Sequence, residues 1–193
     1  MFNARGIRLT RDIQRHKEFR HVGRKKILIA GSSGLIGRQL VAFLDTGNHE
    51  VWRLVRRTPT KGAQEIQWDP KNGTLDAAAL EGFDAVIHLG GAGIGDKRWS
   101  KKRMKIIQTS RTESTGLLAK TLAGLDQKPE VFLVASAIGY YGNRGDEELS
   151  ESSDAGEGYL TETCLAWEAS AQPAKDAGIR TIHARTAGIV LDA

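Results

Sequence analysis

Short apolar runs alternate along the chain with longer stretches in which apolar residues recur every three or four positions, and clusters of Gly, Asn, Asp and Pro separate them. After Lys25 and Lys26 comes Ile27-Leu28-Ile29-Ala30, a compact run that predicts a strand buried on both faces of a parallel sheet. Gly31 ends it. Leu35, Ile36, Leu40, Val41 and Leu44 then fall on one face of a predicted helix that stops near Asp45, Thr46 and Gly47. A second strand is expected over Glu50 to Val55, and a third over Glu65 to Trp68, closed by the turn-forming residues Asp69 to Gly73. Leu75 to Leu80 reads as a brief helix and Asp84 to Leu89 as a buried fourth strand, while Ser100 is a natural N-cap for a long helix reaching Ala123. Pro129 introduces a fifth strand, Val131 to Ser136. A glycine- and tyrosine-rich loop and an acidic stretch follow, then a helix over Tyr159 to Ala177 that Gly178 ends, and a sixth strand within Ile179 to Val190. Six strands alternating with helices predict an α/β fold, a doubly wound parallel sheet with right-handed crossovers and ligand-binding loops gathered on one edge.

Composition narrows this picture without changing it. At 193 residues, 40% hydrophobic and 26% charged, the chain suits one globular domain. Twenty-eight Lys and Arg against 23 Asp and Glu give +5, enough to favour anionic ligands and too little to point to nucleic acid. No apolar run approaches the roughly 18 residues of a membrane span. The single cysteine, Cys164, excludes an internal disulfide framework and agrees with a reducing, cytoplasmic setting. The histidines show no metal-ligand spacing, so no metal site is expected. Residues 1–24 are arginine-rich and read as a basic N-terminal extension or solvated helix ahead of a ligand-binding domain over 25–193.

The chemistry concentrates where strands end. Gly31, Gly34 and Gly37 are spaced GxxGxxG between a strand and a helix, one residue from the GxGxxG of dinucleotide-binding turns. The first amides of a helix lack internal partners and the helix dipole adds positive charge, so the main chain at Ser33, Leu35 and Ile36 suits a pyrophosphate. About 20 residues on, where NAD-selective sites carry an acid, stand Arg56 and Arg57, and paired guanidinium groups match a 2′-phosphate; the expected cofactor is NADP rather than NAD. Asp69 has two readings, a contact to adenine from a strand end or an ordinary turn aspartate. Leu89, Gly90, Gly91 and Ala92 would let a cofactor lie across the end of the fourth strand. The basic run Lys97 to Lys105 includes Trp99, but it shares a helix with apolar residues to bury, so it reads as a solvated face.

Five stretches, ILIAGSSGLIG, HLGGAGIGDKRWSKKRMKIIQTSR, SAIGYYG, YLTETCLAWE and RTAGIVL, together resemble the extended and atypical short-chain dehydrogenase/reductase superfamily, within its epimerase-family, nucleoside-diphosphate-sugar epimerase-like branch. The resemblance spans Lys25 to Leu191 and implies a Rossmann-like fold and a nicotinamide cofactor. Phe2 to His16 is also similar to the tail of a cyclase-like domain that sometimes precedes this module. The superfamily uses a tyrosine as general acid/base, a lysine four residues later, a serine that polarises the substrate oxygen, and an asparagine. Carried over, the tyrosine is Tyr159 and the serine Ser136, with Tyr140 or Tyr141 as alternative phenols. The lysine position is Thr163 and the asparagine position Arg111. Family members also continue beyond the sixth strand, so the part of the domain that completes the substrate pocket is expected to be missing here. The resemblance implies an NADP-dependent oxidoreductase or epimerase-like domain acting on a small-molecule carbonyl or alcohol substrate, sugar-nucleotide-like compounds included; charge and hydropathy point to no nucleic-acid or membrane partner. Thr163 favours the alternative, a non-catalytic NADP-binding regulatory or scaffold module. The sequence does not set the oligomeric state.

Overall fold

The apolar run after Lys25 forms the central strand of the molecule, with Leu28, Ile29 and Ala30 fully buried. The computed structural model describes residues 2–187. In chain order the elements are α1 (Phe2–Glu18), β1 (Lys26–Ala30), α2 (Leu35–Thr46), β2 (Glu50–Val55), β3 (Glu65–Asp69), β4 (Thr74–Leu75), β5 (Ala85–His88), α3 (Lys101–Ala123), β6 (Val131–Ala137), α4 (Tyr159–Ala169), α5 (Gln172–Asp176) and β7 (Arg180–Thr186). One sheet has the order β4-β3-β2-β1-β5-β6-β7, parallel throughout except for the β3–β4 pair. The order reverses direction at β1, so the chain crosses first toward β2 and later toward β5, the switch point at which such sheets bind ligands.

Each face of the sheet has its own core. Leu28, Leu54, Val86, Phe132 and Val134 pack with Leu118 and Leu122 of α3 and Trp167 of α4, while Ile27, Ile29 and Val51 pack with Val41 of α2. Asp84 fixes the start of β1, accepting from the Lys26 amide at 2.7 Å and from Lys25 Nζ at 3.1 Å. The Ser100 cap is present, its hydroxyl accepting from the Arg103 amide. The basic extension is largely helical and is tied to the domain through His16, which stacks on Phe43 with centroids 4.4 Å apart and bonds Thr46 Oγ1. Among the described residues no helix is long and apolar enough to cross a membrane.

Two expectations need correction. Leu75 to Leu80 is not a helix: Thr74 and Leu75 pair antiparallel with Asp69 and Trp68, and only Ala78–Leu80 makes a single 3-10 turn. The stretch after Tyr159 is two helices, because Pro173 lacks the amide that would continue the first; it sits in the opening turn of α5 instead. The strand expected within Ile179 to Val190 is present over Arg180–Thr186, and residues 188–190 of that range lie outside the described residues.

Candidate functional site

The turn after β1 is shaped by contacts that exclude side chains. Gly31 has φ +87°, and a Cβ there would sit 2.9 Å from both Gly90 N and Leu89 C of the loop after β5. Gly37 brings α2 against the same turn, where a Cβ would lie 2.8 Å from Ser32 Cα and closer still to the Gly31 carbonyl oxygen. Gly34 donates to that carbonyl at 3.0 Å, and the first intrahelical bond runs from Arg38 N to Gly34 O. The amides of Leu35, Ile36 and Gly37 therefore precede the helical ladder and open onto the sheet edge beside Gly90. Ser33 and Leu35 are exposed there.

The facing loop, residues 89–93, is pinned from α3. His88 is fully buried. Its Nε2 bonds Ser114 Oγ at 2.8 Å, Ser114 in turn donates to Ser110 O, and Nδ1 accepts from the Gly90 amide at 3.4 Å. This network assigns the neutral Nε2–H tautomer. Burial, with Arg111 adding repulsion, pushes His88 down to about 4, so it remains an uncharged strut. Ala92 N donates to Ser110 Oγ, the Ala92 carbonyl accepts from Arg111 Nη1 at 3.0 Å, and the Gly93 carbonyl accepts from Arg103. Sequence reasoning missed His88, Arg103, Ser110 and Ser114; the signal was polar side chains four apart, Ser110 and Ser114, on a helix face that otherwise buries apolar groups.

At the β2 end the two arginines differ. Arg57 makes a bidentate ion pair with Glu65, at 2.9 and 2.6 Å, and also reaches Thr58 O and Thr60 Oγ1. The Arg57 hydrogen bonds, with the Thr60 amide, hold Glu65 at about 2. Arg56 is exposed and makes no ion pair among the described residues. Asp69 takes the turn role: Oδ1 accepts from the Lys71 and Asn72 amides and Oδ2 from Asn72 Nδ2.

The candidate catalytic hydroxyls have separate partners. Tyr159 donates to the Met104 carbonyl at 2.6 Å and meets Trp99 edge-on, centroids 5.6 Å apart. Ser136, only 2% exposed, donates to Glu168 Oε1 at 2.6 Å. Glu168 is clamped by Arg185 at 2.9 Å through both oxygens. Burial works to raise Glu168, but the bonds from Arg185 and Ser136 outweigh it and hold the carboxyl below its ordinary value. Arg185 also donates to Tyr141 and lies 3.4 Å from the Tyr140 ring centroid. Ser136, Tyr140 and Tyr141 thus surround one ion pair between α4 and β7, whereas Tyr159 faces α3. Thr163, at the lysine position, is 3% exposed, and its hydroxyl has no partner. Cys164 donates to Ala137 O, and burial pushes its thiol up. The described residues hold no His/Cys/Asp/Glu cluster fit for a metal.

A family model described as the NAD dependent epimerase/dehydratase family matches residues 27–187. An epimerase family protein of Mycobacterium leprae is 43% identical over 165 residues, 86% of this chain and 52% of that protein. The human epimerase family protein SDR39U1 is 32% identical over 169 residues, 86% and 55% of the two. The chain spans about half the length of the curated relatives it matches. Among solved structures, a nucleoside-diphosphate sugar epimerase of Corynebacterium glutamicum superposes with TM-score 0.83 and 36% identity, covering 96% of this chain and 39% of that one. Human SDR39U1 (isoform 2) with NADPH superposes with TM-score 0.72 and 30% identity, covering 83% and 52%.

Proposed function

The chain belongs to the NAD dependent epimerase/dehydratase family, and from that premise we propose that it binds NADP(H) at the edge between β1 and β5 and acts as an oxidoreductase or epimerase-like domain on a carbonyl or alcohol substrate. The observation that carries this reading is the cradle itself: Gly31 and Gly37 lie where a Cβ would strike Gly90 or the turn's own backbone, leaving free helix amides facing that space. A pyrophosphate suits those amides, since it brings charge and acceptors to donors that have none. NADPH in the structure of the human relative supports the phosphorylated cofactor. Of the two arginines, Arg56 is the one assigned to the 2′-phosphate, because the fork of Arg57 is already filled by Glu65.

The nicotinamide, when bound, supplies hydride transfer. The protein's residues hold and orient it: His88, Ser110 and Arg111 fix the loop at residues 89–92 against which it would rest. Tyr159 is the assigned proton carrier, at the end of α4 nearest this edge. Ser136 contributes less than the family pattern implies, because its proton is committed to Glu168. Thr163 favours a second reading, a cofactor-binding module without turnover, because no cation stands at that position of α4.

Calorimetric titration with NADPH and NADH tests the binding reading, and absence of heat with both refutes it. A substrate-dependent absorbance change at the nicotinamide band, across a panel of carbonyl compounds, then separates the enzyme from the module.

A further inference from the structure

The seam between α3 and α4 holds more hydrogen-bond donors than acceptors. On α4, Tyr159, Thr163 and Trp167 fall four residues apart and form one stripe. Both ends of that stripe touch α3: the Tyr159 hydroxyl bonds Met104 O, and Trp167 Nε1 donates to Thr115 Oγ1 at 3.0 Å. Thr163, between them, is buried with its hydroxyl unpartnered. On α3, Arg103, Ile107 and Arg111 make the matching stripe. Arg103 Nε is buried without an acceptor, although its Nη2 reaches Gly93 O and the Asp96 carboxylate.

Arg111 is the centre of this arrangement. Its guanidinium lies 5.0 Å from the Trp167 ring centroid and directs a single nitrogen, Nη1, to Ala92 O at 3.0 Å and Ile107 O at 2.8 Å. Nε and Nη2 have no acceptor among the described residues, and no carboxylate there pairs with the group. Gly91 makes room for it, since a Cβ at that position would stand 3.1 Å from Arg111 Cζ. The guanidinium therefore sits directly against the loop that follows β5, on the edge that carries the cofactor cradle. A partly enclosed cation without a counter-ion is unfavourable until an anion joins it. Burial accordingly lowers the Arg111 pKa.

We propose that this seam is an anion site in which Arg111, supported by Arg103 and the Thr163 hydroxyl, receives a carboxylate or phosphate group of the substrate; the inference rests on the oxidoreductase reading above. Positive charge is thereby carried on α3, across from the α4 position that the superfamily fills with lysine. The Thr163 hydroxyl, unpartnered on the facing stripe, adds a donor to the seam. The substrate class that follows is an acid or phosphate ester with its charged group beside the reacting carbon.

The test uses the whole chain at pH 7, with and without NADPH, and measures calorimetric binding and unfolding temperature with malonate and with inorganic phosphate, against sodium chloride at matched ionic strength. At least one probe is expected to bind the wild type and raise its unfolding temperature above the chloride control, and the one that does so identifies the group. Arg111→Met should weaken that binding about tenfold or more, and Arg111→Lys should retain most of it, because charge rather than fork geometry dominates for a small anion. Neither probe exceeding chloride on the wild type overturns the proposal, as does undiminished binding by a folded Arg111→Met. Should that variant not fold, Arg111→Gln takes its place. NADPH binding on the same samples keeps the two readings apart: its absence refutes the cofactor assignment, whereas its presence without anion binding refutes this inference alone.

Discussion

Replacing Gly31 with alanine tests the cradle most directly, because two separable penalties meet there. The φ of +87° is a left-handed conformation, which costs an L-residue about 1–2 kcal/mol. The added Cβ would also stand 2.9 Å from Gly90 N and Leu89 C, both backbone atoms that cannot rotate away, and overpacking of this kind costs about 1–3 kcal/mol. Together they predict a loss of about 2–5 kcal/mol in Gly31→Ala. Gly178 is the control: its φ is +84° and nothing lies within 4 Å of its Cβ position, so Gly178→Ala should carry only the backbone part. Urea unfolding of the two variants isolates the steric part by difference. The ligand effect is separate again. Pushing the residue 89–91 loop away from the turn should remove at least one charge-assisted bond to the pyrophosphate, about 1.5–3 kcal/mol or roughly tenfold to a hundredfold in NADPH affinity by fluorescence titration. Equal stability of the two alanine variants, or wild-type NADPH affinity in Gly31→Ala, would refute the reasoning.

Other consequences are as specific. Arg56→Ala should weaken NADPH much more than NADH, while Arg57→Ala should act mainly through Glu65; equal losses for the two cofactors in Arg56→Ala would remove the reason for assigning the phosphorylated one. His88, held near 4 when folded and ordinarily near 6.5, contributes stability that is complete above pH 6.5 and falls as the pH drops toward 4, because the unfolded chain then gains a proton that the native state refuses. Denaturant midpoints of His88→Gln, which keeps a donor for Ser114, should fall less steeply across that window, and parallel curves would exclude His88 as the cause. Tyr159→Phe should abolish substrate-dependent turnover, whereas retained turnover would transfer the role to Tyr140 or Tyr141.

Local periodicity explains what the sequence made legible. β1, the glycine turn and α2 follow one another within two dozen residues, and each leaves its own mark: an apolar run, glycines at three-residue spacing, then a helical stripe. β2 and the Ser100 cap were readable for the same reason. The β3–β4 pair was not, since two residues are too few for an alternation to register and only pairing across the Asp69 turn creates the strand. The break before α5 was marked by Pro173, a signal overridden by the apolar pattern on either side of it. Site chemistry proved hardest where partners are remote: His88 with Ser114, Ser136 with Glu168, and Glu168 with Arg185 meet only after the strands are ordered. Arg57 has a partner that its position in the sequence did not reveal. Adjacency to Arg56 suggested a shared role, yet the connection from β2 to β3 folds back so that Arg57 and the Thr60 amide both reach Glu65.

A phenol has one proton to give, and in this fold Tyr159 already lends it to the main chain at Met104, with Trp99 braced against the ring. Any molecule that draws the hydroxyl toward itself must unfasten the first turn of α3 from α4 and relieve the indole of its neighbour. Engagement of the reactant and release of the segment around Trp99 and Met104 are then a single event, and the emission of Trp99 is placed to report it.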